Sequence, residues 1–379
     1  MAVRKVMTFK SGKFIFSDSI TTEEINPKLI EYTILYETVR DLPILPALAT
    51  KFESELIRRS IYSTAAMEGN PLAEEAVGAI ITAQGKQDFK NTREKEIGNL
   101  TRAYTTVKRM KPINEPYKIT EKFVRSIHEV ITHDIDSEYN SPGNYRNHLV
   151  KVGDKTHGGV YTPPKILPDI QQLMKEYAGW INSHDVLNLS PTIRAALAHF
   201  HLGLIHPFGD GNGRTARIIE GVILKKAGIK YLPTMLSNYY YTNIDEYFTV
   251  FSDARKNKHH DMTGFIDFFL TGCIQSLSEI KRRIIYFIRK FTLRDYFVYL
   301  RDTRIISNRQ HELLLLLLEK DEHSSFSLKE LFNEMPFKIK YSGVSERTAR
   351  RDLSKLEKME LLKTEGTTYY LNWRSLDAI

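Results

Sequence analysis

Residues 206–217 read His-Pro-Phe-Gly-Asp-Gly-Asn-Gly-Arg-Thr-Ala-Arg, and the fold of the chain is decided around them. Residues 191–205 before this stretch and residues 214–227 within and after it carry apolar residues at helical spacing. Glycine adopts positive φ angles without steric cost, so glycines between two helical patterns let the chain reverse within a few residues. The sequence therefore predicts a glycine-rich bend that leaves one helix and opens the next.

The bend has the residue types that bind a diphosphate. Gly211 and Gly213 allow consecutive backbone N–H groups to point into one concavity, and the following helix adds its positive N-terminal end. Arg214 and Arg217 share one face of that helix, and arginine binds phosphate oxygens in bidentate fashion. Asp210 supplies a hard oxygen ligand of the kind that Mg²⁺ prefers.

His206 lies at the other lip of the bend. An imidazole with an ordinary pKa of about 6.5 suits a general base at neutral pH. The Gly-x-Gly-x-Gly spacing alone is less specific, because it lacks the Lys-Ser/Thr of a P-loop and follows a helical pattern rather than a strand. For the glycines alone, a purely structural turn stays an alternative. His199 and His201 are two apart and diverge on a helix, which favours core or surface positions over a metal site.

Residues 206–217 resemble the signature of the Fic (filamentation induced by cAMP) family and match it at every defined position. The resemblance extends over roughly residues 112–290. It implies a mainly α fold with an all-helical core, and transfer of AMP from ATP, with Mg²⁺, to a hydroxyl of a protein target. By the same resemblance, His206 would deprotonate the target Ser, Thr or Tyr, Asp210 would hold Mg²⁺, and Phe208 would anchor the loop in the core.

The resemblance also implies a set of nucleotide-binding residues. They are Gly209, Asp210, Gly211, Asn212, Gly213, Arg214, Arg217 and Tyr247. The amides of residues 211–213 would form an anion hole, with the Asn212 side chain also near the phosphates. Tyr247 and Phe248 align with a Tyr-Tyr pair that lies near the adenine in similar proteins. The phenylalanine departs from that pattern, and core packing of Tyr247 stays an open alternative.

A second motif occupies residues 63–70, Ser-Thr-Ala-Ala-Met-Glu-Gly-Asn. Thr64 and Glu68 are four apart and share a helix face, and Gly69 predicts the end of that helix. A solvated helix end is the simple interpretation. The motif also resembles the inhibitory helix found N-terminal to many Fic domains, which implies that Glu68 pairs with Arg217 and blocks the position of the γ-phosphate.

The rest of the first 290 residues reads as helical with one exception. Helices are predicted over 25–40, 48–68, 72–84 and 92–110, and Thr120 is predicted as the N-cap of the first core helix. Residues 147–163 alternate around Leu149, Val150 and Val152, which is typical of a β-hairpin. In Fic proteins the corresponding flap pairs with the backbone of the target. A surface loop is the alternative.

From about residue 291 the pattern changes. Residues 345–359 form a capped amphipathic helix, and residues 361–371 read as a hairpin. This order resembles a winged helix-turn-helix domain, in which the second helix enters a major groove. The candidate DNA-contacting residues are Arg347, Arg350 and Arg351. Residues 338–363 hold eight Lys/Arg against four Asp/Glu, which fits a phosphate-facing patch. Use of this domain for protein contact or dimerisation is the alternative.

Composition limits the classes of protein. The chain has 379 residues, of which 42% are hydrophobic, and a net charge of +8 that fits acidic partners or mere solubility. Cys273 is the only cysteine, which excludes an intrachain disulfide and favours the cytoplasm. The N-terminus lacks the apolar segment of a signal peptide and Leu313–Leu318 is too short to cross a bilayer, so we expect no membrane association. We expect an N-terminal helical region at 1–111, a catalytic core at 112–290 and a winged helix at 291–379.

Three functions stay open at this point. The first is a self-inhibited adenylyltransferase. The second is a de-adenylylating enzyme that uses the same residues and requires Glu68 to align water. The third is a DNA-binding regulator with a nucleotide-sensing core, against which an intact His206 argues, because a sensor needs no base. Family habits favour a homodimer, but nothing in the sequence demonstrates one, and the sequence does not indicate the target protein.

Overall fold

The computed structural model describes residues 3–83, 89, 91–136 and 138–377. These divide into a first compact unit within residues 1–41 and 45–281 and a second within residues 42–44 and 282–379. The expected three-part division at residues 111 and 290 stays a prediction. No helix in the described ranges is long and apolar enough to cross a membrane.

The first unit is mainly helical, as predicted from the sequence. Its elements are β1 (Arg4–Met7), β2 (Lys13–Phe16), α1 (Thr22–Asp41), α2 (Pro46–Met67), α3 (Glu74–Ala83), α4 (Thr92–Arg109), α5 (Glu121–Thr132), α6 (Leu167–Ile181), α7 (His184–Leu187), α8 (Pro191–Ile205), α9 (Asn212–Lys226), a 3₁₀ turn (Leu232–Thr234), α10 (Leu236–Thr242), α11 (Ile244–Lys256) and the first part of α12 (Thr263–Asp302).

The predicted helix ends agree with capping chemistry. The Thr120 hydroxyl accepts a hydrogen bond from the Phe123 amide at 3.1 Å, which starts α5. The helix predicted over 48–68 ends at Met67, because Gly69 has a φ of +80° and the chain turns there. The helix predicted over 72–84 begins at Glu74, and residue 84 lies outside the described residues.

The pair formed by α8 and α9 lies at the centre of the first unit. α8 is buried along most of its length and packs against α9 and α6, while α9 also packs against α4 and α5. Arginine and histidine side chains in these two helices are buried with the apolar ones. A helix buried on nearly all sides fits a central position, and it places both ends of the predicted bend inside the unit.

A hairpin near the N-terminus was not predicted from the sequence. β1 and β2 pair antiparallel, with Arg4 opposite Phe16. Each strand has only four residues, too few for a clear alternating pattern. Phe16 is fully buried and its ring stacks 5.4 Å from that of Trp180. The turn is held by the buried carboxylate of Asp169 in α6, which accepts hydrogen bonds from the amides of residues 9–11.

The second unit contains the remaining elements. They are the rest of α12, α13 (Asn308–Leu318), β3 (Ser325–Ser327), α14 (Leu328–Asn333), α15 (Lys338–Tyr341), α16 (Glu346–Lys358), β4 (Leu362–Glu365) and β5 (Thr368–Leu371). The strands form an antiparallel sheet of order β3-β5-β4. The predicted helix and hairpin over 345–371 are thus present as α16, β4 and β5. Leucines of α13 and α16 fill the core.

The Asp169 contact predicts a measurable contribution to stability. Burial raises the pKa of Asp169, but hydrogen bonds from Ser11, Lys10 and Phe9 hold it below its ordinary value. Asp169→Ala would leave buried donors unsatisfied and lower the free energy of unfolding by about 1–3 kcal/mol. The effect would shrink as the pH falls below about 4, because a lowered carboxylate pKa stabilises only the ionised form.

The measurement is urea unfolding followed by tryptophan fluorescence in a Trp373→Phe background, where Trp180 is the sole reporter. Asp185→Ala is the matched control, because the Asp185 side chain is 66% exposed. An Asp169→Ala midpoint equal to that of the control would contradict the assigned role.

Candidate active site

The Asn212 side chain closes the glycine-rich bend predicted within residues 206–217. His206 and Gly211 both adopt left-handed conformations, with φ of 51° and 74°, at the end of α8 and the start of α9. The amide group of Asn212 donates to the carbonyl of Phe208 and accepts from its N–H, each at 2.9 Å. The Asn212 side chain, expected near the phosphates, is therefore committed to closing the bend, and only its backbone N–H remains for a ligand.

A histidine outside the motif supports the same bend. His128 of α5 stacks on Phe208 with 3.7 Å between ring centroids. Its Nδ1 accepts from the Gly143 amide at 3.0 Å, so its Nε2–H donates to the carbonyl of Asp210 at 2.9 Å. Burial lowers the pKa of His128 to about 4, which keeps the ring neutral. No pattern in the sequence indicates this role, since His128 lies inside a predicted helix.

The imidazole of His206 is set up as a proton acceptor. Its Nδ1 lies 3.4 Å from the carbonyl of Gly203, and a carbonyl only accepts, so a proton on Nδ1 leaves Nε2 free to accept one. Burial, helped by the nearby charge of Arg146, lowers the pKa of His206 to about 4. Arg146, another residue that sequence reasoning missed, is buried and donates to the carbonyl of His206 at 2.8 Å.

The end of α2 places Glu68 against α9. The Gly69 and Asn70 amides bond back to the carbonyls of Ala66 and Ala65, a Schellman arrangement that fixes Glu68 at the helix end. Oε1 of Glu68 lies 2.6 Å from a terminal nitrogen of Arg217. A Cβ on Gly213 would come within 2.5 Å of the same oxygen, so a larger residue there would push the Glu68 carboxylate from its present position.

Thr64 contributes through its backbone. Its carbonyl accepts a hydrogen bond from Arg217 at 3.4 Å, while its buried hydroxyl lies 2.8 Å from that of Tyr104. The side chain of Thr64 therefore holds α2 against α4, and the main chain contacts the arginine. The Thr64–Glu68 spacing predicted from the sequence thus places both residues on the face that meets Arg217.

The first arginine of the motif, Arg214, is also paired with carboxylates. Arg214 lies 2.7 Å from Oδ1 of Asp210 and 3.8 Å from Oε1 of Glu96. Burial raises the pKa of Asp210, but Arg214 and the Gly211 amide hold it below its ordinary value. For Glu68, burial likewise raises the pKa, and Arg217 and Arg214 more than reverse that effect. The carboxylates of Glu68, Asp210 and Glu96 thus lie around Arg214 and Arg217, and Arg93 also lies 3.5 Å from Glu96.

Comparison with known proteins identifies this part of the chain. The model of the Fic/DOC family matches residues 118–224, which hold α5, α8, most of α9 and the bend. Over these residues the resemblance to the Fic/DOC family that the sequence indicates is confirmed. We refer to the unit that contains them as the Fic unit.

The relatives of the Fic unit carry a common name. A protein adenylyltransferase Fic of Culex quinquefasciatus is 29% identical over 62% of this chain and 44% of its own length. The protein of that name from Drosophila erecta is 31% identical over 52% of this chain and 38% of its own length. The chain thus spans less than half the length of these relatives.

Solved structures show the same fold. A Fic family protein from Desulfovibrio desulfuricans superposes with a TM-score of 0.57 at 19% identity, over 93% of this chain and 97% of its own. Fic-1 of C. elegans (residues 134–508) superposes with a TM-score of 0.53 at 22% identity, over 68% of this chain and 72% of its own.

Tyr247 lies in the core of the Fic unit. Its side chain is buried, its ring stacks 5.2 Å from Tyr240, and its hydroxyl lies 3.0 Å from Nε2 of His199. His199 in turn contacts Glu220 at 2.5 Å. These contacts favour the core-packing alternative that the sequence left open, while contact with an adenine stays a prediction. His201 is buried as well, against Ser17.

The flap predicted over residues 147–163 is a loop with one β-bridge. Val152 and Tyr161 exchange backbone hydrogen bonds of 3.0 and 2.9 Å, and no regular strand forms within residues 147–163, all of which are described. Gly153, Gly158 and Gly159 have positive φ angles, which interrupt regular pairing. The Leu149 side chain is largely exposed, whereas Val150 and Val152 are half-buried.

His157 fastens this flap to α11. Its Nδ1 lies 2.8 Å from Asp154 of the flap, and its Nε2 lies 3.0 Å from Asp245 in the first turn of α11. Carboxylates only accept, so both contacts are hydrogen bonds only when the ring carries two protons. The contacts with Asp154 and Asp245 raise the pKa of His157. Their contribution is complete below the ordinary value of about 6.5 and disappears as the pH rises through the raised value.

Asp245→Asn is expected to lower the pKa of His157 toward about 6.5, because one of its two charged acceptors is removed. The measurement is an NMR titration of the His157 ring, assigned by its disappearance in His157→Gln. Asp185→Asn is the control, since Asp185 lies 3.8 Å from a different histidine, His184. A His157 midpoint that stays the same in Asp245→Asn would contradict the fastening.

Proposed function

We propose that this chain transfers AMP from ATP to a Ser, Thr or Tyr hydroxyl of a protein, and that Glu68 restrains the transfer. The observation that carries the proposal is the convergence at one bend of a neutral His206, two buried guanidiniums and the N-terminal N–H groups of α9. The names of the relatives support the same reaction. The reaction belongs in the cytoplasm, where ATP is available, and the single cysteine is free and buried.

The residues present fit ATP that arrives with a divalent cation. The Nε atoms of Arg214 and Arg217 are buried with no acceptor among the described residues, so both guanidiniums have a donor to spare. The hydrogen bonds to the Asp210 carboxylate go to Oδ1, and the side chain is 37% exposed. One accessible carboxylate beside phosphates is a usual Mg²⁺ arrangement, with water completing the shell.

The described part of the chain does not by itself build a metal cage. No group of three or more His, Cys, Asp or Glu side chains able to hold an ion occurs among the residues that the structure describes. A cation would therefore be held jointly by Asp210 and the phosphates, where it would offset phosphate charge.

The proposed step requires little of the protein beyond positioning and one proton acceptor. Nε2 of His206 takes the proton of the target hydroxyl, whose oxygen forms a bond to the α-phosphorus. The bond from that phosphorus to the oxygen bridging to the β-phosphate breaks, and pyrophosphate leaves. N–H groups at the start of α9 stabilise the charge on the phosphate oxygens. The flap around Val152 would present the target as an added strand.

The proposed restraint is a substitution of one anion for another. Glu68 occupies Arg217, which would otherwise bind the terminal phosphate. While the ion pair holds, the polyphosphate cannot take the position that brings its α-phosphorus to His206. Removing the Glu68 carboxylate would therefore release the activity without altering the base or the bend.

A labelling experiment tests both the proposed AMP transfer and its restraint by Glu68. Wild type, Glu68→Gly, His206→Ala and the double variant Glu68→Gly/His206→Ala are incubated with Mg²⁺ and α-labelled ATP in cell lysate. We expect label on protein to rise in Glu68→Gly and to fall in Glu68→Gly/His206→Ala by roughly 10²–10⁴-fold, the usual contribution of a general base.

The control is Glu115→Gly, which removes an exposed glutamate from a loop and should label like wild type. Absence of α-label from every variant would contradict AMP transfer. Release of AMP from a labelled protein by wild type, abolished in Glu68→Gly, would instead establish the reverse reaction.

For the second unit we propose a winged helix that binds DNA. Support comes from the order of α13, α14 and α16 with a three-stranded sheet whose last two strands form a hairpin. Arg347, Arg350 and Arg351 of α16 are exposed, while Ala349 and Leu353 are buried. An amphipathic helix with a basic outer face fits the phosphate backbone of a major groove.

Arg347→Ala/Arg351→Ala is expected to weaken DNA binding and to lower the slope of log affinity against log salt by roughly 0.9 for each phosphate that the protein no longer neutralises. The measurement is fluorescence anisotropy with random-sequence duplex DNA over a salt series. Arg374→Ala, which removes an exposed arginine outside α16, should leave the slope unchanged. Equal slopes for wild type and the double variant would contradict DNA binding through α16.

A further inference from the structure

A cavity of about 330 Å³ lies in the Fic unit, and it is lined by residues of β2, the end of the flap, α8 and α11. Ligand pockets span roughly 300–1,000 Å³, so this volume holds one small molecule. None of the residues proposed to bind the nucleotide lines it. We refer to it as the β2–α11 cavity.

Much of the lining is apolar. The apolar side chains come from β2, from α8 and from the residue before α12. They are Phe14, Ile15, Phe200, Leu204 and Met262. Hydroxyl groups of Ser11 and Ser17 add a few polar atoms. An apolar wall with few polar groups is the usual composition of a site for a small organic ligand.

The charged groups of the cavity all have one sign. Lys13, Lys165 and Arg255 line it, and among the described residues that line it none is an Asp or Glu. None of the three has an ion-pair partner within the part of the chain that the structure describes. The nearby carboxylate of Asp169 is taken up by the amides of residues 9–11.

The local potential is positive in consequence. His260, which also lines the cavity, has its pKa lowered by burial and then by Lys13 and Lys5. Arg255 stacks over the ring of Tyr161 at 4.7 Å, which holds its guanidinium at the wall. A planar guanidinium without a carboxylate partner binds a carboxylate in bidentate fashion.

From these features we infer that the β2–α11 cavity binds a small molecule with an apolar, ring-sized body and a carboxylate group. The body would lie against the Phe14 and Phe200 side, and the carboxylate would meet Arg255 with Lys13 or Lys165. The inference is independent of the proposed AMP transfer, because it is tested by binding alone.

The cavity adjoins the flap through Tyr161. The backbone of Tyr161 forms the single bridge to Val152, and its hydroxyl donates to the carbonyl of Gly203 at 3.2 Å in the last turn of α8. His206 follows that turn directly. An occupant that packs against Tyr161 therefore stabilises the junction between the flap and the helix that ends at His206.

The test compares three probes on the full chain by isothermal titration calorimetry at pH 7. 3-Phenylpropionate carries both features, 3-phenylpropan-1-ol lacks the charge, and propionate lacks the ring. We expect 3-phenylpropionate to bind at roughly millimolar concentration. The alcohol should bind about tenfold more weakly, because it loses one charge-assisted contact, which corresponds to about 1.4 kcal/mol. Propionate should also bind about tenfold more weakly, because it loses the apolar contacts of the ring. No binding of 3-phenylpropionate, or equal binding of the alcohol, would overturn the inference.

Variants locate the binding. Arg255→Gln should weaken 3-phenylpropionate about tenfold, and Ala254→Trp, which fills the cavity, should abolish binding. Lys258→Gln is the control, because it removes an exposed charge just beyond α11 that does not line the cavity. Binding unchanged in both cavity variants would place the probe elsewhere and overturn the assignment. The comparison of probes on wild type stands even where a variant fails to fold.

Hydrogen exchange then tests the link to the flap. Saturation with 3-phenylpropionate should slow exchange of the Val152 and Tyr161 amides, which form the bridge, relative to the Phe123 amide at the start of α5. Unchanged exchange at the bridge would contradict the coupling.

Discussion

The site depends on the closure of residues 208–212 by the amide of Asn212. Without these hydrogen bonds, the reversal between α8 and α9 would be held by backbone conformation alone, including the left-handed conformation of His206, which costs free energy in a residue with a Cβ. With them, Phe208 is driven into the core and stacks on His128. His128 in turn donates to the carbonyl of Asp210, which fixes that peptide of the loop.

The fixed bend holds two buried arginines close together, and each of them is paired with a carboxylate. Arg214 and Arg217 are almost fully buried, and a buried guanidinium needs an anion to offset its desolvation. Asp210 meets this need from within the motif, and Glu68 meets it from α2. The arginines are therefore satisfied before any nucleotide arrives. A site of this kind is satisfied when empty, and under the proposed function it would bind phosphate by exchange of partners.

The sequence predicted what local chemistry determines and missed what only the fold brings together. Helix spacing, the Thr120 cap and the Gly69 helix end depend on neighbours in sequence, and each is present. The Glu68–Arg217 pair was reached through a resemblance, since 149 positions separate the two residues. His128 and Arg146 act on backbone carbonyls of the bend, contacts that leave no pattern in the chain. The flap was overestimated because alternation was counted without the positive φ angles of its glycines.

The proposed restraint by Glu68 follows from where its helix ends. Arg217 is 2% exposed at its side chain, but Glu68 is 27% exposed, so only one partner of the pair can move into water. Replacing Glu68 by a phosphate leaves Arg217 paired throughout and adds no cost of desolvating it. Displacing Glu68 from Arg217 would then cost the free energy of one partly exposed ion pair and of the helix end that positions Glu68. An interaction that moves α2 a short way from α9 would weaken the Glu68–Arg217 ion pair and the positioning of Glu68 at the same time. The proposed restraint would therefore depend on the packing of α2 against α4, α9 and α10 rather than on the chemistry of the bend.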